Sequence, residues 1–321
     1  MKAILLAAVL GFGVPSGTSY IDSGITALDA GDYECSIELF EKALATKDLT
    51  RDSQVAALMD EGHAYHLLGK YEDSIRKFTA VTMIAPDHAQ AYIGRASAYF
   101  LGGEIDNAIA DYSAVLKRTS DDKSLRITAF VGRAGGYFRE SKIDLSLRDY
   151  ASALEIDPRA DLPRFLRGTV YWRLGRFRDA AQDFSDLLRA DPTSARDALW
   201  WIISADPIHR KLGALSEVNP SKIDATRWPG ILVQFYNRAA TEEQVFVQAE
   251  ERDGHARNWT EHIYECDARF FVGEWHLLTG DINTVASSLA EASTQCSPAF
   301  VLYGASKAEL ARATAMKMSG Y

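Results

Sequence analysis

The sequence predicts an all-α fold built from repeated antiparallel helix pairs, and two observations carry that reading. Residues 161–194, DLPRFLRGTVYWRLGRFRDAAQDFSDLLRADPTS, space small and aromatic residues as a helix hairpin requires. Gly168 and Ala180 permit close approach, Tyr171 and Phe184 fill the seam, and Gly175 turns the chain. Pro192 stops the second helix, because proline lacks an N–H and clashes inside a helix. The pattern also recurs. Tyr171 is preceded by Tyr137, Tyr99 and Tyr65 at intervals of 34, 38 and 34, and Phe184 by Tyr150, Tyr112 and Phe78 at the same intervals. Pro158 and Pro86 match Pro192. One hairpin cannot bury its apolar face alone, so copies at this period stack.

A 34-residue period with these columns resembles the tetratricopeptide repeat (TPR). The resemblance implies an all-α TPR α-solenoid, a right-handed superhelix of helix-turn-helix repeats. Residues 1–19 stand outside it: Lys2 precedes the apolar run AILLAAVLGFGV and then Pro15, Ser16 and Gly17. A basic start, a short apolar run and small residues read as a signal peptide cleaved near residues 16–19. The run is short for a membrane span. The alternative is an apolar first helix of the stack.

Residues 20–194 hold five repeats. The first, over 17–50, keeps Gly24, Gly31, Tyr33, Phe40 and Ala43, with Ala27 in place of the tyrosine. The second, 55–88, has Gly62, Tyr65, Gly69, Tyr71, Phe78 and Pro86; the third, 89–122, has Ala96, Tyr99, Gly103, Ala108 and Tyr112. The fourth, 127–160, has Ala134, Tyr137, Tyr150 and Ala153, and its Gly135-Gly136 pair points to close helix contact. The four residues that stretch one interval to 38 fall near 122–126, a polar stretch where a longer loop is cheap.

The register breaks over 195–265. Ser194 with Asp197 opens a helix through Trp200 and Trp201, Asp206-Pro207 interrupts it, Asn219-Pro220 marks a loop, and Thr241 with Gln244 forms a capping box. The adjacent tryptophans read as buried packing or as a docking surface. A sixth hairpin spans 266–299, with Gly273, Gly280, Leu289 and Ala292 in register and His276 replacing the tyrosine. Residues 300–321 supply an amphipathic capping helix.

Cys266 and Cys296 lie where a hairpin brings the start of its first helix beside the end of its second, so a disulfide is expected; two buried thiols are the alternative. Cys35 has no evident partner and is either buried or reactive. In TPR stacks the first helices line a concave groove. By register that face comprises Met59, His63, His66, Ile93, Ser97, Phe100, Val131, Phe138, Phe165, Thr169 and Trp172. Phe100, Phe138 and Trp172 occupy equivalent positions and form an aromatic column, read either as peptide anchors or as packing between repeats. The lysine–asparagine clamp of chaperone-binding TPRs is missing; Ile21, Ile25, Met59 and His63 stand at its positions. His63 and His66 sit one turn apart without an evident third ligand, so they read as groove residues rather than a metal site. No nucleophile elbow, phosphate loop or zinc spacing occurs, and neither a cofactor nor a catalytic residue is expected. The net charge of −9, without a long basic run, argues against nucleic acid and anionic membranes and favours protein or peptide partners. Asn258-Trp259-Thr260 is a glycosylation sequon.

The run RDALWWIISA, then RWPGILVQFYN, ARFFVGEWHLLTGDINTVASSL and AELAR resembles the NlpI-like TPR lipoproteins of bacterial envelopes. That resemblance implies a periplasmic adaptor, often a homodimer, presenting peptidoglycan hydrolases to a C-terminal-processing protease. The chain departs from it in lacking a lipobox cysteine and in placing Arg238 after FYN. The expected function is thus a non-enzymatic periplasmic scaffold in envelope maintenance; the alternative is a cytoplasmic scaffold or co-chaperone with an uncleaved N-terminus.

Overall fold

The computed structural model describes residues 15–119, 121–205, 218–254, 263–296 and 301–318. Residues 1–14 of the expected signal segment, the Asp206-Pro207 step and the Asn258 sequon lie outside them. The described residues form sixteen α-helices and no strand. They divide into two compact units, with the boundary between Pro158 and Arg159.

The first unit holds four hairpins: α1 (Gly17–Asp29) with α2 (Tyr33–Ala45), α3 (Arg51–Leu67) with α4 (Tyr71–Ile84), α5 (Ala89–Gly102) with α6 (Ile105–Arg118), and α7 (Lys123–Arg139) with α8 (Ile143–Ile156). Each seam is filled by the aromatic residue of the second helix. Phe78 is fully buried, and a Cβ on Gly62 of its own hairpin or on Gly94 of the next would meet its ring at 2.9 and 2.6 Å. One ring thus joins two repeats, which is why those positions are small. At the Gly135-Gly136 pair the close approach is at Gly136, where a Cβ would lie 2.7 Å from Ile109.

The four additional residues are not a longer loop. They form an added first turn of α7, which starts at Lys123 directly after Asp122, whose carboxylate accepts the Leu125 N–H at 3.0 Å. Four residues make about one helical turn, so the insertion leaves the buried face in register.

The second unit takes in the whole fifth repeat: α9 (Asp161–Arg173) and α10 (Phe177–Ala190) share one core with the helices after them. That remainder is α11 (Ala195–Ala205), a 3₁₀ turn (Pro220–Lys222), α12 (Gly230–Tyr236), α13 (Glu242–Asp253), α14 (Ile263–Thr279), α15 (Ile282–Gln295) and α16 (Val301–Met318). The Ser194 hydroxyl accepts the Asp197 N–H, and both halves of the Thr241–Gln244 capping box are made. Trp200 is buried and Trp201 half-buried against the same core, so this pair packs.

Cys266 and Cys296 are joined by a disulfide, Cα to Cα 5.8 Å, across the α14–α15 hairpin. Cys35 is free and exposed rather than buried. The bridge closes a loop of sequence separation 30, worth roughly 3.5 kcal/mol in the chain-entropy model. Reduction is expected to lower the urea midpoint of the second unit's unfolding, with a Cys266→Ser/Cys296→Ser chain matching the reduced protein. An unchanged midpoint would show that the bridge does not constrain the unfolded chain.

Candidate functional site

The predicted groove residues fall into two groups with different surroundings. On the first unit, Met59, His66, Ile93, Ser97, Phe100, Val131 and Phe138 are half-buried and His63 is exposed on the first helices of their hairpins. Exposed apolar side chains on the same helices add to them: Ile25 on α1, Leu67 on α3 and Leu101 on α5. Phe100 is roofed by Arg139, whose guanidinium lies 5.0 Å from the ring centroid and donates to the Phe100 carbonyl at 2.8 Å. The His63 ring meets Phe78 edge-on at 5.3 Å, and His66 meets Tyr71 at 5.8 Å. Desolvation lowers both imidazole pKa values, for His63 where its ring packs on Phe78 although the residue is otherwise exposed; Asp60 opposes the shift of His63, and His63 reinforces that of His66. Both rings are therefore neutral at pH 7. Nδ1 of His66 is buried without a hydrogen-bond partner. Among the described residues no cluster of three metal-ligating side chains occurs. The side chains on this face are apolar groups and two imidazoles.

Phe165, Thr169 and Trp172 do not belong to an open face. They are only 8, 4 and 1% exposed, inside the core of the second unit. Trp172 is held edge-on by Trp200, Phe177 and Phe270 at ring separations of 5.5, 6.1 and 5.7 Å. The C-terminal helix α16 covers the same helix. Arg312 stacks its guanidinium 4.5 Å from the Trp172 ring and 5.0 Å from Phe177, and donates to the Trp172 carbonyl at 3.4 Å. Gly304 of α16 faces the Arg173 guanidinium on α9, which a Cβ at that position would approach to 2.5 Å and push aside. The three positions expected to line a groove are therefore occupied from within. The expected aromatic column loses Trp172 to that core.

A second feature escaped the sequence reading. In the second to fifth hairpins the residue before the small position of the first helix pairs with the residue before the seam aromatic, sixteen positions on. Arg95–Asp111, Arg133–Asp149 and Arg167–Asp183 each make two guanidinium–carboxylate hydrogen bonds of 2.7–2.9 Å. In the second hairpin the charges are exchanged, with Glu61 fully buried and Lys77 at 2.6 Å. Bidentate pairs of this kind fix geometry as well as charge. Each of these pairs links the two helices of its hairpin.

In the second unit, Asp267 accepts a 2.9 Å hydrogen bond from the Trp228 indole N–H. Burial raises its pKa to about 7, with Trp228 opposing and the nearby Asp253 adding to the rise. An unfolded aspartate titrates near 3.9, so between that value and 7 the folded chain holds a proton the unfolded chain has released. Stability is thus expected to fall as pH rises from about 4 through 7, by up to ~1.4 kcal/mol per unit. Asp267→Asn removes the titration. Melting temperature against pH should show a shallower decline for this variant, and parallel profiles would contradict the assignment.

A tetratricopeptide-repeat family model matches residues 21–82, 61–123, 133–195 and 165–205, together more than half of the chain. The chain belongs to the tetratricopeptide repeat family. Its fold class is the all-α TPR solenoid, and this TPR protein resembles a TPR protein from Parabacteroides merdae ATCC 43184 at 16% identity and a TM-score of 0.55, over 93% of this chain and 98% of the other. It is also similar to MamA from Desulfovibrio magneticus RS-1 (16% identity, TM-score 0.48, 56% and 97% of the two chains). A further match is a thermophilic TPR protein of Thermus thermophilus (15% identity, TM-score 0.46, 59% and 99%). At these identities the likeness is one of fold. TPR proteins bind protein partners and generally act as non-enzymatic scaffolds, so the repeats make this chain a protein-interaction scaffold. No helix among the described residues is long and apolar enough to cross a membrane.

Proposed function

We propose that this TPR protein is a non-enzymatic periplasmic adaptor that holds protein partners on the first-helix face of its first unit. The supporting observation is the run of accessible apolar and neutral side chains there, Ile25, Met59, His63, Leu67, Ile93 and Leu101, on successive first helices. Such a face takes a peptide through apolar anchors at intervals set by the repeat. Two partners bound to one scaffold gain effective concentration without new chemistry. The periplasmic setting is supported by the Lys2-led apolar run and the small residues after it. The disulfide, of a kind that persists in oxidising compartments, agrees with that setting. Resemblance of residues 196–312 to NlpI-like proteins supports partners among peptidoglycan hydrolases and a C-terminal-processing protease.

Fractionation with N-terminal sequencing tests the location: a start at residue 17 or 20 in the periplasmic fraction is expected, whereas an intact Met1 in the cytosol would favour a cytoplasmic scaffold. Partner binding is expected to fall about tenfold in a His63→Asp/Leu101→Asp chain, since a desolvated charge is placed in an apolar contact. Equal recovery of partners by both chains would remove the face from the account.

A further inference from the structure

Beyond the repeats, the second unit carries a cleft of about 520 Å³ between α12, the 239–240 turn and α13. That volume lies in the range of pockets that take a ligand group or a few side chains. Its floor is apolar, from Ile231, Ala240 and Val247, and Val247 is 49% exposed although aliphatic. Glu243 and Glu251 line it eight residues apart on α13. Among the described residues neither carboxylate is in an ion pair, whereas the adjacent Glu242 is engaged by His276 at 3.0 Å. The nearby Arg252 is turned to the Thr226 carbonyl at 2.8 Å. Gln248, also in the lining, donates its amide N–H to the Ala225 carbonyl at 3.4 Å, and its side-chain oxygen is buried without a donor. The cleft therefore presents an apolar centre flanked by two uncompensated negative charges.

We propose that this cleft is a docking site for a basic peptide segment, an aliphatic or aromatic side chain flanked by lysine or arginine. The aliphatic group would cover Val247 and Ile231, and the flanking cations would meet Glu243 and Glu251. Eight residues of helix rise about 12 Å, which an extended peptide spans in about four residues, so the basic residues fall at positions i and i+4. The site lies in the divergent segment of the second unit and does not depend on the first-unit face, so an adaptor would have two docking surfaces of different chemistry.

The test is fluorescence anisotropy of the full-length protein with labelled peptides containing KALAK, KAFAK or RALAR, against EALAE and KASAK controls. The basic apolar peptides are expected to bind and both controls to bind at least about tenfold more weakly. Glu243→Gln/Glu251→Gln should weaken binding about tenfold, as expected for two partly exposed ion pairs, and Val247→Asp should remove the preference for KALAK over KASAK. Raising salt from about 50 to about 300 mM should weaken the wild-type chain more than the double glutamine variant. Binding of EALAE as tight as KALAK, absence of binding by all three basic peptides, or unchanged binding in both variants would overturn the proposal. None of these results bears on the first-unit face, which is tested with substitutions in α3 and α5.

Discussion

Trp200→Ala is expected to destabilise the second unit by about 3–5 kcal/mol, the range for truncating a buried tryptophan. Trp200 is 2% exposed and touches the rings of Phe165, Trp172, Phe184, Phe270 and Phe271. Together with Trp200 itself, those rings come from four helices, α9, α10, α11 and α14, so no single side-chain shift can refill the cavity. A loss of this size is a large fraction of the roughly 5–15 kcal/mol typical of a domain. Hydrogen exchange should show protection lost through α9–α11 and α14 while α3–α6 stay protected. Equal loss in both regions would mean that the fifth repeat is not part of a separate core. Trp200→Phe, which keeps most of the volume, should cost well under half as much.

Arg133→Ala is expected to cost about 2–3 kcal/mol, because it leaves the Asp149 carboxylate without its two guanidinium hydrogen bonds while that side chain is only 9% exposed. The value sits below the fully buried range since Arg133 retains some contact with water. The Arg133→Glu/Asp149→Lys chain should recover at least half of the loss, because the second hairpin already uses the reversed order in Glu61 and Lys77. Arg133→Leu/Asp149→Leu should be close to neutral, since removing both charges removes both desolvation costs. Urea midpoints of the wild type, Arg133→Ala, Asp149→Ala and the double alanine chain complete a double-mutant cycle for the pair. A single-variant cost below about 0.5 kcal/mol would place the pair with ordinary surface ion pairs.

The repeats were legible because glycine, seam aromatic and proline each answer to a local demand, and local demands recur at the period of the fold. The ion pairs were also written in the chain: a charge stands before Gly62, Ala96, Ala134 and Gly168, with its opposite sixteen residues on. Reading the small residues alone passed over them. The added turn of α7 could have been read from Asp122 followed by KSLR, a cap and helix-compatible residues; a polar stretch need not be a loop. Trp172 is different in kind. By register it belongs to an exposed face, and it is buried because Trp200, Phe270 and Arg312 arrive from the chain beyond the fifth repeat, the last from 140 residues further on. No periodicity within the repeats contains that contact. The cleft beside Glu243 and Glu251 likewise depends on how α12 and α13 pack, which the divergent segment does not disclose through any repeat.

Protein partners held on the first-helix face of the first unit can be trapped by a photo-cross-linking amino acid placed in turn at Ile25, Leu67 and Leu101, and at Met83 on the second helix α4, where exposure is 79%. Illumination in cells should yield the same discrete protein adducts from the three first-helix positions and none from Met83. Adducts from Met83 alone, or none from any first-helix position, would contradict the account.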